Sequence, residues 1–327
     1  MQDTSIIEST KVFEEKISNN LEGINTQSRN YIKDIITLVN KEIGINKILS
    51  IILFGSQRAK SETAEVSDCD LLIIFKNRVS NHHIIEIEKY FIALEIKHKF
   101  REFNKKITKK ILGVIQQTTG IFISHFLTKN KYWENARFHK IFRVNRVFSA
   151  VFAPRNIVLG NILTNSTILY GNDLREKIRP KIRISFIEMF KSTVMNLIIS
   201  FFSIVISLRK KLDPTKYQLT AVKWALRASN FYCFRDSEKL GKITERFISF
   251  EKPRSQKKAQ KFFTKFLKLR KNPHNDMNFM IRCPFRIIKI HLKAMIFKNV
   301  VKRKNEKRIL PKFIEPVIPD HTFPLRF

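Results

Sequence analysis

Apolar residues recur every three or four positions between about residues 5 and 43, at Ile7, Val12, Phe13, Ile32, Ile35, Ile36, Val39 and Ile43, with Gly44 as a stop. That spacing predicts helix. The pattern then changes period. INKILSIILFG (45–55) is a continuous apolar run closed by glycine, as expected of a strand buried on both faces, and SDCDLLIIF (67–75) is a second. A short helical turn is expected just after Gly55-Ser56. NHHIIEIEKYFIALEIKHKF (81–100) returns to helical spacing, GIFISHFLTK (120–129) reads as a third strand, and LYGNDL (169–174) as a turn that closes the unit. Strands interleaved with helices predict an α/β or α+β domain.

Beyond that turn the pattern is almost wholly helical. Helices are predicted over 181–211 and from Pro214 through PTKYQLTAVKWALRASNFYCF, with proline in its favoured first-turn position. Two basic stretches follow, KPRSQKKAQKFFTKFLKLRKNPH (252–274) and KNVVKRKNEKR (298–308). In the first, Phe262, Phe263, Phe266 and Leu267 share one face of an amphipathic helix. The organisation is therefore a helical segment at 1–44, an α+β domain at 45–175, a basic helical domain at 176–310 and a proline-bearing extended tail at 311–327.

Residues 192–208 carry no charge and are flanked by Lys191 and Arg209-Lys210-Lys211. Their 17 residues meet the lower length limit for a membrane span. Asn196, Ser200, Ser203 and Ser207 nevertheless fall on one helical face, which reads as the polar seam of a bundle helix. The same seam would also suit packing between membrane helices.

Composition narrows the partners. The 327 residues hold 62 Lys and Arg against 28 Asp and Glu, a formal charge of +34. A surface this basic suits RNA or another polyanion, because each neutralised phosphate releases counterions. Heavy use of Lys, Ile, Asn and Phe also fits an AT-rich coding bias. Cys69, Cys233 and Cys283 are far apart and lack C-x-x-C spacing, which excludes a disulfide framework and a zinc knuckle. A reducing, cytoplasmic setting is expected, and MQDTSIIESTKVFEEK lacks the order of a signal peptide.

The chemistry concentrates in LFGSQRAKSETAEVSDCDLLIIF (53–75). Alternate strand residues share a face, so Asp68 and Asp70 project together while Cys69 and Leu71 point the other way. Two carboxylates one residue apart ionise together only with a cation between them. Magnesium is suited to that role, since it binds one or two carboxylates and completes its shell with water and substrate phosphates. Gly55 permits close backbone approach, and Ser56 with the following amides forms an anion site beside the acids. Metal and phosphate thus meet at one place, the requirement for phosphoryl or nucleotidyl transfer.

Apolar strand, Gly-Ser, about a dozen residues and then Ser-Asp-x-Asp before an aliphatic run resembles the DNA polymerase β-like nucleotidyltransferase superfamily. Phe54, Gly55, Ser56, Arg58, Ser67, Asp68, Asp70 and Leu71-Leu72-Ile73 carry the resemblance. It implies an α+β fold with a small mixed sheet backed by helices, a nucleoside triphosphate (NTP) substrate, one or two Mg²⁺ ions on Asp68 and Asp70, and transfer of a nucleotidyl group to a hydroxyl with release of pyrophosphate. The helical half resembles the companion domain of aminoglycoside-type and poly(A)-type members, which makes Lys216, Lys223 and Arg227 candidates for binding the triphosphate. Members of that superfamily usually bring a third acid on a later strand. Here that strand has none, and His125 is the candidate base in its place. Glu95, Glu134 and Asp173 are further acids whose distance from the site the sequence leaves open. The resemblance leaves as alternatives a weakened relative that binds nucleotide or RNA without chemistry, and a transferase that modifies a companion protein.

Overall fold

A computed structural model describes Ile17 and residues 20–55, 69–100, 125–207, 214–236 and 238–309, and the architecture is α+β. Helix α1 (Thr26–Glu42) starts at Asn25, whose side chain accepts the Ser28 amide, and buries Tyr31, Ile32, Ile35, Ile36 and Val39. These are the apolar positions at helical spacing. The buried stripe, more than intrinsic propensity, is what stabilises a helix of this length. A 3-10 turn (Ile45–Lys47) leads into β1 (Ile48–Gly55), which pairs antiparallel with β2 (Cys69–Phe75). Helix α2 (Asn81–Lys97) then crosses over to β3 (His125–Lys129), parallel to β2.

Four short helices come next: α3 (Asn130–Glu134), α4 (Phe138–Ile141), α5 (Arg146–Phe152) and α6 (Arg155–Thr164). Strand β4 (Ser166–Gly171) then joins the other edge of β1, giving the order β3-β2-β1-β4. The sequence predicts a turn over 169–174, and the structure corrects this by continuing the strand to Gly171. That glycine has φ 79°, and a Cβ on it would fall 2.1 Å from the Leu49 carbonyl oxygen. The strand therefore ends where the chain presses against β1.

The sheet is covered on both sides. Ile51, Leu53, Leu71, Ile73 and Leu127 pack with α1 and α2, whereas Ile52, Phe54, Leu72, Ile74 and Phe126 join the core of the helical half. Double coverage explains why β1 and β2 read as unbroken apolar runs.

The helical half follows α7 (Arg175–Ile178). It comprises α8 (Phe186–Ser207), α9 (Pro214–Phe234), α10 (Leu240–Ser249), α11 (Pro253–Lys271) and α12 (Met277–Ile309). Helices α8, α9 and α12 pack on one another. The polar seam of α8 is turned into this bundle: Ser192, Asn196, Ser200, Ser203 and Ser207 are all buried. Asn196 meets His291 at 3.2 Å, Gln218 donates to Ser200 at 2.5 Å, and Ser203 donates to the Pro214 carbonyl at 2.5 Å. The seam faces protein. On its outer side α8 exposes Phe186, Ile187, Phe190, Ile198, Phe201 and Val205. The stretch Phe186–Val205 is long and apolar enough to cross a membrane, with mean hydropathy 1.3, and 44% of it is buried in the bundle. On α11, Phe262, Phe263 and Phe266 are buried, so its apolar face covers core and its lysines face outward.

Candidate active site

Antiparallel pairing sets the end of β1 beside the start of β2: Phe54 is opposite Asp70, and Gly55 is opposite Cys69. Gly55 has φ 84°, in the left-handed region that a residue with a Cβ enters at a cost of about 1–2 kcal/mol. Asp70 shares its face with Phe54, Leu72 and Ile74, so it looks toward the helical half.

A cleft opens there between the strand ends, α6, α9 and α11. Gly55, Asp70, Asn161, Lys223, Arg227 and Arg270 are among the residues that line it. Helix α6 can stand close to α9 because Gly160 has no side chain; a Cβ there would lie 2.3 Å from the Phe231 ring. Lys223 and Arg227 are four residues apart on α9, so their like charges share one helical face and repel. Arg227 also donates to the Glu238 carbonyl at 2.6 Å, and the Arg270 guanidinium lies over the Phe266 ring at 6.0 Å. Three cations from two helices thus converge on the strand end that carries an acid.

Residues 32–141 match the family model described as a nucleotidyltransferase domain. That span, about a third of the chain, holds β1, β2 and β3 and is similar to a nucleotidyltransferase domain. Among solved structures, a spectinomycin adenyltransferase from Enterococcus faecialis, determined with ATP and spectinomycin, aligns at 9% identity and a TM-score of 0.42. The alignment covers 84% of this chain and 99% of that one. A search of curated proteins gives no match.

The structure unites some of the expected residues and separates others. Gly55, Asp70, Lys223 and Arg227 come together in the cleft. Ser56, Arg58 and Asp68 lie outside the described residues. Lys216 is seven positions before Lys223, about 10 Å along the axis of α9, and does not line the cleft.

His125 is the clearest correction. It pairs in register with Leu71, not Asp70, and therefore occupies the opposite face of the sheet. There it is buried, bonded to the Glu95 carboxylate at 2.8 Å and packed edge-on against Phe91 at 5.0 Å. A base for a reaction at Asp70 cannot act through the sheet. Glu95 is held in the same buried pair. Glu134 bonds Lys177 at 2.7 Å, and Asp173 bonds Arg175 through both carboxylate oxygens; these hydrogen bonds keep both carboxyls below the usual carboxylate range. The described β3 residues on the Asp70 face are Phe126 and Thr128, neither of them an acid.

Arg270 is the cleft residue that sequence reasoning missed. Its one signal is membership of a basic helix, which does not distinguish it from the other cations of α11. No cluster of three or more metal-binding side chains occurs among the described residues. Asp70 is the one carboxylate in the described part of the cleft, which fits a divalent ion held by one or two carboxylates and otherwise by water and substrate oxygens.

Proposed function

We propose that this protein transfers a nucleotidyl group from a nucleoside triphosphate to an acceptor hydroxyl and releases pyrophosphate, in a reaction that depends on a divalent cation. The observation that carries the reading is the meeting of Asp70 and Gly55 with Lys223, Arg227 and Arg270 in one cleft. Cations confronted by an acid suit a polyphosphate whose charge is shared between a bound metal ion and fixed side chains. Asp70, with Asp68 two residues before it, would hold the ion, which when bound neutralises phosphate charge and activates the attacking oxygen. Gly55 allows the backbone to approach the phosphates, and Lys223, Arg227 and Arg270 orient them and stabilise charge on the leaving pyrophosphate. The basic composition favours a polyanionic acceptor such as RNA.

A second reading is a module that binds nucleotide without chemistry, supported by Phe126 and Thr128 on β3 where related enzymes carry an acid. Labelled triphosphates offered with RNA, protein and small-molecule acceptors separate the two. Transfer that needs magnesium and disappears in Asp70→Asn supports catalysis. Tight triphosphate binding without transfer supports the binding module. Equal transfer by wild type and Asp70→Asn overturns the site.

A further inference from the structure

The sheet has a second basic pocket at its other end. The cleft above gathers where β2 begins; this pocket lies where β3 ends, at Thr128 and Lys129, and where α2 begins, at Asn81. Lys129 pairs with Phe75, the last residue of β2, five positions from Asp70 and so about 17 Å away along the strand. The pocket has a volume of about 430 Å³, within the range of small-molecule sites.

Its charge is one-sided. Lys129, Lys140, Arg143 and Arg146 contribute to the wall together with His139, and among the described residues no Asp or Glu does. Glu88 engages Arg143 from outside the lining. Burial, followed by the neighbouring Lys140, Arg146, Arg137 and Arg155, pushes the His139 imidazolium down, as a strongly positive surrounding should. The 17-residue helix α2 directs its N-terminal end to the same place, adding the positive pole of its dipole.

Two polar side chains in this wall are buried without a protein partner among the described residues. Thr128 is 2% exposed, and its hydroxyl has no hydrogen-bond partner. Lys129 is 7% exposed and forms no hydrogen bond or ion pair with any described residue. Removing most of a lysine from water without a counter-charge is unfavourable, and no described residue offsets it. An anionic ligand does. The apolar side chains of Ile84, Ile85 and Val144 line the same pocket and leave room for an organic portion.

We propose that this pocket is a second binding site, separate from the transfer cleft, for a phosphate-bearing small molecule up to nucleotide size. Lys129, Lys140 and Arg146 carry the phosphate, the Thr128 hydroxyl donates to it, and the N-terminus of α2 faces it.

The test uses the full chain in the presence of a metal chelator, with inorganic phosphate, pyrophosphate and AMP titrated separately by calorimetry. Lys129→Met should weaken binding about ten-fold or more, and Arg146→Gln several-fold, whereas Lys223→Gln in the other cleft should leave this site unchanged. Without ligand, Lys129→Met should unfold at a higher temperature than wild type, because a buried uncompensated charge is gone. A structural lysine would give the opposite shift. AMP binding more tightly than phosphate identifies a nucleotide monoester site, and equal affinities identify a site for the inorganic anion; either supports the proposal. If Lys129→Met does not fold, exposed Arg146 decides the matter. Unchanged affinity in the folded variants, or binding of RNA with none of the three small anions, overturns it. Loss of magnesium-dependent transfer in Asp70→Asn with this binding intact would separate the two sites.

Discussion

Asp70 and the Glu95–His125 pair contain the same kinds of groups and lie within one residue of each other in sheet register, yet they face opposite sides of β2 and β3. Asp70 is half-buried and looks into a cleft with three basic side chains. Glu95 and His125 are 3% exposed each and satisfy one another. The difference teaches that what an ionisable group does here depends on strand parity. The acid on the cleft face is within reach of a ligand among basic side chains, whereas the acid on the core face is enclosed with its histidine.

Exchange to the neutral amide should separate these roles. Asp70→Asn should lower nucleotidyl transfer by about a thousand-fold, roughly 4 kcal/mol at the barrier, while leaving the unfolding free energy unchanged or slightly increased. Glu95→Gln should do the reverse. It leaves His125 with a poorer buried partner and should cost about 2–4 kcal/mol of stability, with transfer per folded molecule unchanged. Denaturant melts and transfer rates on the same preparations provide the check. A Glu95→Gln protein that melts normally but fails to transfer would erase the contrast and return the pair to the site.

Parity also explains how much was legible in the sequence. The Gly-Ser and Asp-x-Asp spacing pointed to the nucleotidyltransferase domain matched over residues 32–141, because each half is tied to its own strand and those strands pair with one another. Lys223 and Arg227 were legible as candidates since they share one face of one helix. The face of His125 was not legible because it depends on the register between β2 and β3, which pairing partners separated by 54 positions fix and local pattern does not. Arg270 was missed for a similar reason: only the packing of α11 against the rest of the helical half distinguishes it from its basic neighbours. Strand β4 was overlooked because a register shift between its pairings with Ile51 and Ile52 breaks the alternation of its faces, Ile168 packing toward the helical half and both Leu169 and Tyr170 toward the other core.

Gly160→Ala sharpens the contrast from the side of the helices. The added methyl meets the Phe231 ring and forces α6 away from α9. Overpacking of this kind costs about 1–3 kcal/mol. Because α6 also lines the cleft, triphosphate affinity should fall along with stability, whereas any change confined to the Glu95 face should lower stability alone. A destabilised Gly160→Ala protein with unaltered affinity would show that α6 does not shape the site.

The smallest effect comes from Glu251, a carboxylate completed by the fold through charge. Its side chain is 3% exposed and bonded by Arg286 and Lys289 at 2.8 Å and by Lys293 at 3.2 Å, tying the end of α10 to α12. Burial alone would raise its carboxyl, but the hydrogen bonds from Lys289 and Lys293 outweigh it and hold the group below its ordinary value of 4.5. A carboxyl lowered on folding contributes stability above its unfolded pKa and loses that contribution as the pH falls through the folded one. Glu251→Gln cannot titrate. It should therefore be less stable than wild type by about 1–2 kcal/mol at neutral pH, and the gap should close below the ordinary carboxylate range as Glu251 itself becomes protonated. Paired melts from pH 7 to pH 3 measure it. A gap of constant size across that range would mean that Glu251 acts through shape and hydrogen bonding, and that charge pairing does not set it apart from Glu95.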